Sequence, residues 1–283
     1  MLNTSNSQSS AESSLLETVD PEILTRVGER EAEIAQGASI NSKLAAALAL
    51  GSVPIALGAL ARDVYGQTPT DVLDVLQFAL LLEYLEADFY TRAVAGAGLI
   101  LVTDVTVFTT IRDHENVHVT ALQGLITGKG AVPIAKPVFD FTAKGNLPGF
   151  NFTGAAQYPT FLAVAQAFED TGVRAYKGQA GRLINDKPVL TAALTIHAVE
   201  AEHAAEVRRI RGEKGWITGN SRGSLPAFTQ PVYDGEENAS QLGIALPSLP
   251  SFGANGGLNA ATEAFDEPLT KAQVTAIVTP FLP

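Results

Sequence analysis

Two short quartets carry the clearest capacity for chemistry in this chain: Glu115-Asn-Val-His118 and Glu200-Ala-Glu-His203. On an α-helix, residues three apart project from one face about a turn apart. A carboxylate and an imidazole spaced in this way can serve one metal ion. Each quartet has a companion acid upstream, and each acid is followed seven residues later by a tyrosine: Glu83 with Tyr90, Glu169 with Tyr176. Glu115 lies 32 residues after Glu83, and Glu200 lies 31 after Glu169. The order acid, tyrosine, turn, Glu-x-x-His therefore occurs twice at matching intervals, which chance explains far less well than a single occurrence.

The elements that would position these residues read as four helices. The first opens at Thr68-Pro-Thr-Asp71, with Thr68 as N-cap, Pro69 at the first helical position and Asp71 as the capping-box acid, and runs to the glycines at 96 and 98. The second starts near Asp104 and ends at Gly128, a natural C′ residue; its Val- and Thr-rich opening, 102–110, has strand as its local rival. The third begins after Pro159 and reaches about Arg182, and the fourth runs from Pro188 to about Arg211. Short loops near 97–103 and 183–187 make antiparallel pairs, which bring Glu83 level with Glu115 and Glu169 level with Glu200. Residues 129–158 are long enough to cross a bundle, and Phe139, Phe141, Phe150 and Phe152 are expected to pack on it, with short extended pieces as an option. Four helices with one long crossover, two lone Glu and two Glu-x-x-His pairs are the arrangement of di-metal carboxylate bundles. Four carboxylates in one dry core raise each other's pKa and oppose folding, and two divalent ions would neutralise them. Four Glu and two His with open positions suit iron first and manganese next, rather than a closed zinc site.

The chain resembles the ferritin-like superfamily, and within it the desiccation-related, ferritin-like-domain branch. The resemblance is carried by Leu82-Glu-Tyr-Leu-Glu-Ala-Asp-Phe-Tyr90, His114-Glu-Asn-Val-His118, Phe168-Glu-Asp170 with Tyr176, Glu200-Ala-Glu-His203 and the tail stretch Ala264-Phe-Asp-Glu-Pro-Leu-Thr-Lys-Ala272. It implies an all-α four-helix bundle with one long crossover. It also implies that Glu83 with His118 holds one metal, Glu169 with His203 holds the other, and Glu115 and Glu200 bridge. The activities it implies are ferroxidase, oxidase, peroxidase or catalase-type chemistry on O₂, peroxide or Fe(II). No catalytic side chain is assigned. The alternative is a structural or desiccation-protective protein whose metal site only stabilises the bundle or stays empty. Added N-terminal helices and a long tail depart from the family pattern and put cage assembly in question, while leaving a homo-oligomer open.

Rival readings attach to single residues. His114-Glu-Asn-Val-His118 also fits the zinc-protease pattern H-E-x-x-H, but that reading leaves Glu83, Glu169, Glu200 and His203 unexplained. Axial position favours Glu83 over Glu86 as the ligand, because three residues shift a side chain about 4.5 Å along a helix. Glu86, Asp88 and Glu202 are solvated or supporting acids. Asp113 and Asp170 either orient a ligand histidine or face water. Tyr90 and Tyr176 are core aromatics that hydrogen-bond near the site, and His197 is a supporting group at most. Lys177, Arg182, Arg208, Arg209 and Arg211 suit the helix C-termini near which they lie.

Composition sets outer bounds. The chain has 283 residues, 46% hydrophobic and 17% charged, enough for a large globular core. A net charge of −11 argues against nucleic acid or an anionic membrane as partner. The absence of cysteine excludes disulfides, Fe–S clusters, Cys-ligated zinc and thiol catalysis. The division expected is a flexible tail at 1–16, an N-terminal helical region at 17–66, the bundle at 67–215 and an extension packed on it at 216–283. The apolar run 44–61 contains Ser52 and Pro54 and reads as a kinked buried helix rather than a membrane span. No convincing cleavable signal precedes it, which makes the cytoplasm the default compartment.

Overall fold

A computed structural model describes residues 71–249 and 252–283. The expected tail, the N-terminal helical region, the run 44–61 and the cap at Thr68-Pro69 lie outside the described residues. Helices α1 (Asp71–Ala95), α2 (Val105–Gly128), α3 (Tyr158–Ala180) and α4 (Lys187–Ile210) form the all-α bundle, in which α1 packs along α2 and α3 along α4. The Val/Thr-rich opening of the second helix is helical from Val105. Gly128 is the last helical residue rather than the residue that ends the helix; the left-handed position is Gly130, at φ 76°. Asp186 caps α4 by accepting from the Val189 N–H.

The four helices bury different amounts of themselves, and the sequence pattern explains this. α2 buries one stripe, Phe108, Ile111, Glu115, His118, Leu122 and Ile126, at steps of three and four. α4 does the same with Val189, Ile196, Glu200, His203 and Val207. Both Glu-x-x-His quartets thus occupy seam positions that continue an apolar stripe. α1 and α3 are buried almost all round, since further chain covers their outer faces.

The crossover covers α1. Gln77 donates to the Val132 carbonyl at 2.8 Å and accepts from the Ile134 N–H at 2.9 Å, while the Tyr84 hydroxyl donates to the Ile134 carbonyl at 3.2 Å. Phe139, Phe141 and Phe150 are buried, and residues 129–158 contain no strand. Phe89, Tyr90, Phe108, Phe161 and Phe168 form a ring-to-ring cluster in the core, with centroids 4.8–6.2 Å apart. Burying each such side chain stabilises by about 1.5–3 kcal/mol.

The C-terminal segment covers α3 and is less irregular than its composition suggests. It contains a hairpin, β1 (Ser240–Gln241) with β2 (Ile244–Ala245), and helices α5 (Gly257–Glu263) and α6 (Lys271–Val278). A complete capping box between Thr270 and Gln273 starts α6. Arg174, 1% exposed, lies 2.6 Å from the Glu236 carboxylate and donates to the carbonyls of Val232, Asp234 and Glu267. Arg208 pairs with Asp170, which also accepts from the Tyr233 hydroxyl at 2.7 Å. Arg208 does lie in the last turn of α4, as expected of a helix-end cation, and it is in addition buried and bound to one specific acid.

At Gly178 the strap touches backbone to backbone: a Cβ there would stand 1.9 Å from the Leu269 carbonyl oxygen. Gly178→Ala is expected to destabilise by about 1–3 kcal/mol through forced displacement of the strap. Gly124→Ala, in open space on α2, is expected to stabilise by up to about 1 kcal/mol. Urea-denaturation midpoints of the two variants check the contrast.

Candidate metal centre

The two helix hairpins bring Glu83, Glu115, His118, Glu169, Glu200 and His203 together in mid-bundle. All four glutamates are 0% exposed, and the histidines are 7% and 5% exposed. Two overlapping groups form. Glu83, Glu115, His118 and Glu200 each offer a ligand atom within 4.8 Å of the others, and so do Glu115, Glu169, Glu200 and His203. Glu115 and Glu200 belong to both groups.

His118 Nδ1 lies 3.2 Å from oxygens of Glu83, Glu115 and Glu200. His203 Nδ1 lies 2.9 Å from Glu115 Oε1 and 3.3 Å from Glu169 Oε2. Proximity here does not mean satisfaction. Glu115 Oε1, Glu169 Oε2, both oxygens of Glu200 and His203 Nδ1 are buried with no aligned hydrogen-bond partner. Buried polar atoms are seldom left in this condition, and several converging on the same small volume fit a bound cation. Oxygen and imidazole donors without sulfur are a set that divalent cations accept.

Two tyrosines settle which carboxylate oxygens face inward. The Tyr90 hydroxyl donates to Glu169 Oε1 at 2.5 Å, which leaves Oε2 toward His203. The Tyr176 hydroxyl donates to Glu83 Oε1 at 2.5 Å, which leaves Oε2 toward His118. Each tyrosine reaches across to the acid of the other hairpin, so the internal repeat becomes a reciprocal clamp. Burial first, and the neighbouring acids next, hold both phenols well above their usual pKa, so they remain neutral donors.

Burial also pushes Glu83, Glu86 and Glu200 upward, reinforced by neighbouring carboxylates. Burial opposes charge on the histidines too, but the surrounding acids outweigh it: His118 is raised to about 12 and His203 to about 11. Glu115 is held below its ordinary value because contacts with both imidazoles overcome its burial. Without metal, protons and imidazolium charges thus carry the positive charge that the acids require.

The remaining candidates separate. Glu86 is buried beside the cluster but belongs to neither ligand group. Gly172 of α3 makes room there: a Cβ on it would stand 3.0 Å from Glu200 Oε2 and 3.4 Å from Glu86 Oε1. Asp113 is exposed and paired with Arg112, and Asp170 is held by Arg208 and Tyr233, so neither orients a ligand histidine. Glu202 is exposed and Asp88 pairs with Arg92 and Lys136. His197 lies toward Val173, Lys177 and Asp266, outside both groups. Sequence reasoning missed His114 as a partner of the centre: its Nδ1 lies 3.0 Å from His203 Nε2. The H-E-x-x-H pattern drew attention to it for a different reason, since His114 belongs to neither group while His118 belongs to one.

A helical bundle with a buried Glu/His cluster able to hold metal defines a class, and comparison with known families agrees. The ferritin-like domain model matches residues 71–213, half of the chain, and the protein belongs to that family. Comparison with curated proteins gave no match. Among the described residues, no helix is long and apolar enough to cross a membrane.

The charge pattern has a consequence for stability against pH. Carboxyls with raised folded-state pKa values favour the fold most below about pH 4.5, and that contribution is lost as pH rises through their folded values. The contributions of His118 and His203 are fully present below about 6.5 and are lost toward 12 and 11. Both trends lower metal-free stability between pH 5.5 and 8.5. Metal competes with protons for the same atoms and binds better as pH rises. The gap in melting temperature between Mn(II)-loaded and chelated protein should therefore widen across that range. Calorimetry at three pH values checks this, and a gap that stays constant would refute it.

Proposed function

We propose that this protein is a non-haem di-metal carboxylate protein that reacts with O₂ or peroxide in oxidant removal or metal oxidation. In this reading Glu83 and His118 hold one divalent ion, Glu169 and His203 hold the other, and Glu115 and Glu200 bridge. Iron is the first choice and manganese the second. The observation that carries it is the set of five buried, unaligned polar atoms converging on two groups with shared glutamates. The ions would supply redox chemistry toward the oxidant. The chain's own contribution is to orient the donors and keep the centre dry: Tyr90 and Tyr176 fix one oxygen of each lone glutamate, and the aromatic cluster around Phe89 excludes water. An apolar pocket is lined by Val75, Ala79, Leu82, Leu122 and Tyr176, the residue whose hydroxyl holds Glu83. Such a lining suits a small uncharged oxidant better than an ion. The tail stretch 264–272 motivates placement in the desiccation-related branch.

Complete burial of the four glutamates also supports a second reading, in which metal only stabilises the bundle. One experiment separates the two. Protein stripped of metal and reloaded anaerobically with Fe(II) is expected to bind two ions per chain and then to consume O₂ on exposure to air. Two bound ions without O₂ or peroxide consumption would favour the structural reading, and fewer than two would refute the di-metal centre. In the same assay Glu83→Gln is expected to lose about one ion per chain while Glu86→Gln retains both, because Glu86 lies outside the ligand groups. The opposite pattern would exchange their roles.

A further inference from the structure

The two halves of the centre repeat each other in acid, tyrosine, glutamate and histidine, but they differ at the residue preceding each Glu-x-x-His. In α2 that residue is His114; in α4 it is Val199. His114 lies on the exposed side of α2, and its ring lies edge to edge with that of His203, with centroids 5.2 Å apart and planes only 15° apart, the geometry of an in-plane hydrogen bond. Its Nδ1 stands 3.0 Å from His203 Nε2, on the far side of that ring from Glu115 and Glu169. The other half has no such arrangement. His118 makes its close polar contacts through Nδ1, and among the described residues its Nε2 has no hydrogen-bond partner. Val199 could not supply one.

A neutral imidazole carries one N–H, and the ring nitrogen that meets a metal must be the other one. For His203 to present a lone pair at Nδ1, its proton must sit on Nε2. A buried N–H without an acceptor costs free energy, and an acceptor at the right place fixes both tautomer and ring orientation. We propose that His114 is a positioning residue that makes the two metal positions inequivalent. Its Nδ1 accepts the His203 Nε2–H, while its own proton, on Nε2, is turned to solvent. His203 is thereby locked with Nδ1 toward Glu115 and Glu169, and the position it serves is the more preorganised of the two. The inference rests on the di-metal reading and adds an order of loading to it.

The test uses the full chain, metal-free, titrated with Co(II) and followed by calorimetry and visible absorption. Wild type is expected to bind two ions in two resolvable steps. His114→Phe keeps an aromatic ring but has no acceptor, and is expected to weaken the tighter step roughly 10-fold or more, the usual consequence of losing a partner of a ligand histidine. The weaker step should be unchanged. His114→Asn, whose side-chain oxygen falls near the original Nδ1, is expected to recover most of the loss. A second readout needs no activity: in Zn(II)-loaded protein the His203 Nε2–H should give a slowly exchanging ¹H–¹⁵N signal in wild type and His114→Asn, but not in His114→Phe. Unchanged affinities in His114→Phe, or equal losses in Phe and Asn variants, would overturn the positioning role. Wild type binding fewer than two Co(II) would instead overturn the di-metal reading on which it rests.

Discussion

The constraint on which the structure depends is the burial of carboxylate charge in the middle of a helical bundle. Glu83, Glu86, Glu115, Glu169 and Glu200 all lie out of solvent and close together. An uncompensated charge there would cost several kcal/mol. Compensation comes from three sources: two histidines among the acids, protons retained on Glu83, Glu86 and Glu200 because burial raises their pKa, and two phenols that donate without becoming charged. None of these satisfies the inward atoms of Glu115, Glu169, Glu200 and His203. The unbalanced remainder is what makes metal binding the natural reading of the site.

Such a centre requires rigid supports, and the bundle supplies them unequally. α2 and α4 each bring a glutamate and a histidine on seam positions, so their register against α1 and α3 determines the site. α1 and α3 each bring a single acid and are enclosed on their outer faces, α1 by the crossover and α3 by the C-terminal strap. The strap is anchored by buried charge as well as by apolar contact. Asp170, next to Glu169 in sequence, is held by Arg208 from α4 and by Tyr233 from the tail, and Arg174 clasps Glu236 one turn further on. Breaking a buried pair by removing one partner is far more costly than its net contribution to stability suggests. α3 therefore has little freedom to turn Glu169 away from His203.

Internal repetition and its failures carry separate information. Where the halves agree, at the two lone acids, the two tyrosines and the two Glu-x-x-His pairs, they describe the capacity for metal. Where they differ, at Glu86 against Gly172 and at His114 against Val199, they mark where the surroundings of the two ligand groups cease to be equivalent. Gly172 leaves space where a Cβ would press on Glu200, and His114 adds a polar contact to His203 that Val199 could not make.

The sequence by itself determined the helices, their hairpin pairing, the crossover and the identities of the six grouped residues, because all of these follow from local periodicity and from intervals that repeat. The capping box at Thr270 was equally legible, being a contact between residues three apart. The hairpin and α5 in the tail were not, since they are short and lie in Gly- and Ser-rich chain without a period. Nor was the fate of individual charged residues. Arg208 read as a helix-end cation and is also buried against Asp170, and His114 read as half of a zinc motif but meets His203 at 3.0 Å. Spacing along a helix states which face a side chain occupies. Only the packing of a second element, brought from 38 or 89 residues away, decides what that face meets.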